Sequence, residues 1–565
     1  MKHLYLILLF FSTFSFSQVQ LLKNISIGDP NSSNGEYIIG APENSVIVPG
    51  IELNGFYYFA LFQGDAPFEG YSLYKTDGTE ANTIKIKAYP NTTNSFSNRN
   101  VIINQSIIID DFFYFKEGPQ SGNDTNQIWR SDGTEIGTEI VVGQSNPSQS
   151  EMILLNNNII YTDFTPDFGR ELYIIPNGLP TTLQVLKDIR PGNTGGTSSV
   201  GFSSDAKKLN KLGNSIIFVA DDGVTDEELW ITDGTEVGTQ LLKDIRPTSG
   251  SNPRGFIAFN NKLYFFANNG ISYGFWETDG TTEGTILIKE NLFSNEDYQG
   301  IVYNNKMYFG AETSSTGIEI WTSDGTNAGT QLLKDINPNE SDSKPNSFSI
   351  ANDLLFFIAE TDNEDEELWV TDGTSANTLA LTSFINDNAF ANVMIFDQPS
   401  KLFSDGDNVY YLANYATDNT LSNNEIGISS GTLESTNMLA EINPNGNALF
   451  VNPFIINDKL VFESFEGTYY RELWTSELSQ LSNDENKFEN SNISLYPNPS
   501  IDYISVKNLK NRITEITIFS LEGRKIKTFT SNFQSISVQD LSAGTYVVSI
   551  ELDNGQLHKL KFIKQ

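Results

Sequence analysis

Apolar residues in this chain gather in short runs, too brief for helices and too continuous for strands with one wet face. Between positions 255 and 289 the runs are Gly255-Phe256-Ile257-Ala258-Phe259, Lys262-Leu263-Tyr264-Phe265-Phe266-Ala267, Gly274-Phe275-Trp276-Glu277-Thr278 and Thr285-Ile286-Leu287-Ile288-Lys289. Leu354-Leu355-Phe356-Phe357-Ile358 is apolar at every position, the pattern of a strand covered on both faces. Asn260-Asn261 parts the first two runs, and Asn54-Gly55, Asn304-Asn305, Asn352-Asp353 and Asn457-Asp458 stand at the same point of other units. These residue types accept the positive φ of a tight hairpin. Asp279-Gly280 opens the turn between the third and fourth runs, where Asp caps its own turn and Gly supplies the backbone shape. With no sustained helical period, the pattern predicts an all-β chain built from four-stranded units.

One phrase recurs through these units, apolar-Trp-x-Thr/Ser-Asp-Gly-Thr-x-x-Gly-Thr, clearest in Leu229-Trp230-Ile231-Thr232-Asp233-Gly234-Thr235-Glu236-Val237-Gly238-Thr239. All six tryptophans (Trp129, Trp230, Trp276, Trp321, Trp369 and Trp474) occupy its second position, and Tyr74, Tyr173 and Gly427 fill it elsewhere. Asp132, Asp233, Asp279, Asp324 and Asp372 hold the turn. A residue confined to one phase of a repeat is a packing element, and an Asp in every turn is a turn residue first, so both sets read as structural. Successive slots lie 44–58 residues apart, a period of propellers, solenoids and arrays. Sheets stacked between like sheets in a ring give strands two buried faces. A β-propeller is therefore expected, with a β-solenoid as the alternative. The last unit ends at Glu472-Leu473-Trp474-Thr475-Ser476 without a fourth strand, while Val19-Gln20-Leu21-Leu22-Lys23-Asn24-Ile25 resembles the fourth strand at Thr239-Gln240-Leu241-Leu242-Lys243-Asp244-Ile245. The N-terminal strand is expected to complete the last blade, which removes open edges. Eight or nine four-stranded blades are expected, because the unit around Tyr173 or Gly427 also reads as an insertion. Lys187-Asp188-Ile189-Arg190-Pro191, Lys243-Asp244-Ile245-Arg246-Pro247 and Lys334-Asp335-Ile336-Asn337-Pro338 read as connectors between blades.

The two ends differ from the repeat. Met1-Lys2-His3, an apolar run at 4–11 and Ser15-Phe16-Ser17 before Gln18 read as a secretory signal peptide over 1–17, too short to span a bilayer. No cysteine precedes Gln18, so a lipoprotein anchor is not expected, nor is any transmembrane segment. The propeller is expected over 18–477, a polar linker over 478–492, and a small Ig-like β-sandwich over 493–565, where short alternating strands follow one another. Tyr496-Pro497-Asn498-Pro499, Leu521-Glu522-Gly523-Arg524, Leu541-Ser542-Ala543-Gly544-Thr545-Tyr546 and Lys561-Phe562-Ile563-Lys564-Gln565 resemble the type A C-terminal sorting domain of the Bacteroidetes type IX secretion system. The resemblance implies the type IX machinery as a partner, passage through the periplasm and outer membrane, and release or attachment at the cell surface. The repeat similarly resembles the ELWxxDGT repeat proteins, whose family implies no defined activity. The first, third and eighth units depart from that pattern at Leu73-Tyr74-Lys75, at Leu172-Tyr173-Ile174 with Pro176-Asn177-Gly178, and at Ile426-Gly427-Ile428.

Composition narrows the chemistry. The chain has 565 residues, no cysteine, and only His3 and His558 as histidines. Thiol and histidine catalysis, and zinc held by nitrogen or sulfur, are thereby excluded from the propeller. The net charge is −36, while residues 493–565 carry nine basic and six acidic residues, so the acidity belongs to the propeller and linker. Such a surface repels nucleic acid and anionic lipid and favours solubility. Asp221, Asp222 and Asp226 in one loop, and Asp362 and Asp365 in another, offer hard oxygen ligands for calcium, although neither loop has a known calcium spacing; a solvated acidic loop is the plainer reading. Glu171, Glu228, Glu319, Glu367 and Glu472 precede the apolar-Trp pair. A pair of them across a channel would suit glycoside acid–base chemistry, but repetition argues for structure. The leading expectation is an exported, non-catalytic binding module for protein or polysaccharide. A carboxylate-dependent hydrolase or lyase of extracellular polysaccharide, and a structural surface component, remain as alternatives.

Overall fold

The computed structural model describes residues 20–23, 48–63, 70–90, 99–119, 126–145, 151–195, 200–294, 300–338, 341–361, 366–382, 402–414, 424–440, 450–464, 472–478, 494–496, 500–507, 512–520, 525–531, 533, 535–542, 544–552 and 557–564. The chain divides into two compact units, residues 1–478 and 479–565.

The first unit is a β-propeller. Among the described residues it holds nine antiparallel four-stranded sheets. Blade 1 consists of Val48–Leu53, Phe56–Gln63, Gly70–Thr76 and Ile84–Pro90, and blades 2 to 8 follow at 99–145, 152–187, 207–243, 254–290, 301–334, 346–380 and 403–440. Blade 9 takes Val451–Ile456, Lys459–Ser464 and Glu472–Glu477 from the far end of the repeat and Gln20–Lys23 from the N-terminus. Leu21 pairs with Trp474 and Gln20 with Thr475, as the orphan strand predicted. Tyr173 and Gly427 both sit in regular blades, paired with Tyr161 and Tyr411. The described residues therefore form nine blades, and neither degenerate unit is an insertion.

The recurring apolar-Trp pair works because adjacent strand residues point to opposite faces. Trp230 packs with Leu155, Ile160 and Leu172 of blade 3, while its neighbour Leu229 joins Leu263 and Phe265 of blade 5. Trp276, Trp321 and Trp369 repeat the backward contact. Leu22, Phe454, Val461 and Leu473 of blade 9 pack on Tyr57, Phe59 and Tyr74 of blade 1, so the last sheet meets the first. The indole N–H of Trp276 donates to the Ala267 carbonyl at 3.2 Å.

A second repeated contact fastens the blades. Lys243, at the end of a fourth strand, donates through Nζ to the Thr285 carbonyl of the next blade at 2.6 Å. Lys87 does so to Thr138 at 2.8 Å, Lys289 to Thr330 at 2.9 Å and Lys334 to Thr378 at 2.8 Å. Lys23 of the N-terminal strand reaches Thr83 of blade 1 at 2.6 Å. The closing strand thus carries both the pairing and the staple of an ordinary fourth strand.

The Asp-Gly-Thr turn is a self-contained network. Asp233 Oδ1 accepts from the Thr235 backbone N–H at 2.9 Å and from its hydroxyl at 2.7 Å, and the Thr232 and Thr239 hydroxyls meet at 2.7 Å. Gly234 has φ +88°, and a Cβ on Gly238 would lie 2.0 Å from the Asp233 carboxylate. Asn82 and Asn377 take the Gly238 position in two blades, and each donates from Nδ2 to the turn Asp at 2.6 Å. The Thr235 hydroxyl and amide hold the Asp233 carboxyl below the usual carboxylate range.

The second unit is a sandwich of Ser494–Tyr496, Tyr503–Lys507 and Ile536–Ser537 against Lys525–Phe529, Ile513–Ser520, Gly544–Leu552 and Leu557–Lys564. Leu495, Ile504 and Ile536 of the first sheet share a core with Ile516, Ile518, Val548, Ile550 and Phe562 of the second.

Candidate functional site

Antiparallel order puts two kinds of loop on opposite rims of the ring. One rim carries the tight turns inside each blade. The other carries the loops between second and third strands and the connectors between blades.

The repeated glutamates lie there, and each described one is engaged. Glu228 accepts from the backbone N–H groups of Ile245 at 3.1 Å, Arg246 at 3.0 Å and Ser251 at 3.0 Å, and from the Ser251 hydroxyl at 2.6 Å. Glu171 makes the same set with Ile189, Arg190 and Ser204, and Glu319 with Ile336, Asn337 and Ser343. Glu367 accepts from the Thr382 hydroxyl. Glu171, Glu228 and Glu319 each satisfy the buried backbone of a connector and of the chain entering the next blade. Burial pushes Glu171 and Glu319 up to about 7, against the pull of their donors, and raises Glu228 for the same reason. Glu171, Glu228 and Glu319 are therefore latches between blades. Their lone pairs face backbone, which removes them from any acid–base pair. The side chain of Glu472 lies outside the described residues.

In the predicted calcium loop, Asp221 pairs with the Arg190 guanidinium and accepts from Gly223 N–H. Asp222 Oδ1 accepts from Val224 and Thr225 N–H, both at 2.8 Å. Burial pushes Asp222 up, but these donors outweigh it and hold its carboxyl below the ordinary range. Asp226 stands at φ +57° where the loop re-enters its strand. Among the described residues no three histidine, aspartate or glutamate side chains gather as a metal cage. Asp362 and Asp365 lie outside the described residues.

Blades 1, 2 and 5 lack the latch, with Ser72 and Gln127 at its position in the first two. In blade 5 Gly274 stands where blade 4 has Glu228, because the fourth strand runs on to pair Glu290 with Gly274 and leaves no room for a side chain: a Cβ there would meet Leu287 Cδ1 at 2.5 Å. The extended connector brings Phe293 against Tyr273, ring centroids 4.8 Å apart and nearly perpendicular. The Arg254 guanidinium lies 5.5 Å from the Tyr273 ring and 5.8 Å from Phe293. Its Nε donates to the Asn252 carbonyl at 3.3 Å and Nη2 to the Tyr273 hydroxyl at 3.5 Å. All three side chains are half-buried. Nearby loops of the same rim expose Val224 and Ile271, at 87% and 93%, and Phe202, over which the Arg190 guanidinium lies at 5.7 Å. Sequence reasoning missed this cluster. Its signal was a glycine at the glutamate position of a unit whose Trp276 and Asp279 are intact.

A second departure lies between blades 2 and 3. Lys116 is buried there, and burial lowers its ammonium to about 8 although Glu151 and Asp163 favour the charged form.

In the sorting motif, the Tyr546 hydroxyl donates to the Ser542 carbonyl at 2.9 Å and its ring lies 6.2 Å from Phe562. Gly544 and Thr545 begin the same strand and pair with Lys564 and Ile563. Tyr496 ends the first strand of the sandwich. Pro497, Asn498 and Pro499, like residues 479–492 of the linker expected over 478–492, lie outside the described residues.

No helix among the described residues is long and apolar enough to cross a membrane. No curated protein matches the chain in sequence. Solved structures similar to it include a prolyl endopeptidase at 10% identity and TM-score 0.36, covering 75% of this chain and 54% of that one. The β-propeller domain of the Trilobed protease from Pyrococcus furiosus is 13% identical at TM-score 0.28, covering 60% and 99%. An oligogalacturonate lyase in complex with manganese is 11% identical at TM-score 0.30, covering 58% and 88%. The chain spans a little over half the length of the first of these. Residues 494–565 match the secretion system C-terminal sorting domain, which implies export by the type IX machinery to the cell surface or beyond.

Proposed function

We propose that the exported propeller is a non-catalytic binding module of the ELWxxDGT repeat type, engaging an extracellular polysaccharide through the connector rim of blades 4 and 5. The observation that carries this reading is the cluster of two aromatic rings and an arginine in blade 5. The latch kept at Glu171, Glu228 and Glu319 gives way there to Gly274, and the cluster takes its place. Local departures from a repeat mark function more often than chance does. Half-buried aromatic rings beside donor groups suit sugars, whose C–H faces stack on rings while their hydroxyls take hydrogen bonds. Against catalysis stands the engagement of these three repeated carboxylates by backbone.

The test is retention of the chain, from Gln18 onward, on immobilised extracellular polysaccharides, with new reducing ends assayed in parallel and calcium present or chelated. Retention without chain cleavage is expected. Release of reducing or unsaturated ends would overturn the non-catalytic reading, and failure to bind any glycan would overturn the choice of ligand.

A further inference from the structure

We infer that Arg254, Tyr273 and Phe293 form a subsite for an anionic group, a carboxylate or sulfate ester, carried at intervals on an otherwise neutral polysaccharide; this rests on the glycan-binding reading of the rim. Blade 4 supplies the comparison. There the first strand begins with Lys207 and the third with Glu227, and the two pair at 2.6 Å. In blade 5 the first strand begins with Arg254 and the third with Tyr273. The cation is kept and its acidic partner is gone. Among the described residues Arg254 has no carboxylate at ion-pair distance, in a chain with 71 acidic and 35 basic residues.

The guanidinium is nevertheless held. Two of its N–H donors are taken by Asn252 and Tyr273, and both rings lie within cation–π range. A fixed guanidinium loses little entropy on binding, and its remaining donors form a planar fork that matches a carboxylate or sulfate. The acidic surroundings set the spacing of the charges. At physiological ionic strength charges beyond roughly 8 Å are largely screened, so one anionic group seated at Arg254 is tolerated. A densely charged polymer would lay further anions against the acidic propeller and be repelled.

The test compares matched polysaccharide pairs, dextran, β-glucan and galactan, each neutral or lightly carboxymethylated, with heavily sulfated dextran as the dense polyanion. Binding of the chain from Gln18 onward is measured by calorimetry. The lightly charged member of a bound pair should bind roughly tenfold or more tightly than its neutral partner, the range of a charge-assisted hydrogen bond. Dextran sulfate should bind no better than lightly charged dextran. Arg254→Gln should erase the preference. Tyr273→Glu should erase it too, by restoring the internal partner seen in blade 4, with Arg254 still present. Unchanged melting of both variants excludes misfolding as the cause. Binding of neutral and charged members alike, tighter binding of dextran sulfate, or a preference that survives both variants would overturn the inference and leave glycan binding standing. Failure of every pair to bind would overturn both.

Discussion

Replacing Glu228 with alanine should loosen one joint of the ring while leaving its neighbours intact. The carboxylate accepts four hydrogen bonds, three from backbone N–H groups and one from the Ser251 hydroxyl, and its side chain is wholly buried. Each donor left unmet in a buried site costs about 1–3 kcal/mol. Water entering the vacated space recovers part of that, and removal of a buried charge returns part of its desolvation cost. The net loss should be about 3 kcal/mol, which in local opening equilibria is roughly a hundredfold. A ring of nine sheets need not unfold in one step, so the measurement is hydrogen exchange at the amides of Ile245, Arg246 and Ser251. These should exchange about a hundredfold faster, while the equivalent amides at Glu171 and Glu319 stay protected. Glu228→Gln should fall between, since its amide nitrogen would face two of the donors. Exchange within about threefold of the parent at all three amides, equivalent to less than 1 kcal/mol, would refute the latch.

Four further outcomes follow from the structure. Asp233→Ala removes the Thr235 bonds and should lower stability by about 1–2 kcal/mol, read as a shift of the urea midpoint; Asp233→Asn should lose less. Starting the chain at Asn24 removes the closing strand and the Lys23 staple and bares the edge of Glu472–Glu477, so size-exclusion should show self-association; a monodisperse monomer would contradict ring closure by that strand. Burial raises Glu171, Glu228 and Glu319 above their unfolded values, so the folded state binds these protons more tightly. For Glu171 and Glu319 the stabilising share is full below about 4.5, the ordinary value, and is lost as pH rises through about 7. Denaturant midpoints should rise from pH 7.5 to 5, and Glu319→Gln should shrink the rise, which separates the latch from general surface repulsion. Calcium should leave the melt unchanged if Asp221 and Asp222 are fully engaged, whereas a higher melting temperature would put the ion at the acidic loops.

The repeat specifies which residues pack and which turn. Trp230 and Leu229 alternate faces because a strand has period two, and Asp233 with Gly234 spells a turn from local chemistry alone. The orphan text at 19–25 even announced ring closure. These features were legible because each rests on neighbours a few residues apart or on similarity between units. What the glutamates do was not legible. Glu228 meets Ser251, twenty-three positions away, and only the fold brings that connector beneath it. The break at Gly274 could be read as a missing letter, but not as a site. Arg254, Tyr273 and Phe293 span 39 positions and meet only because an extended fourth strand redirects the chain. Sequence fixes the period, the packing phase and the turns, since these are local or repeated. The rim, where loops from separate strands converge, is decided by tertiary geometry, because contact there depends on how the blades stack.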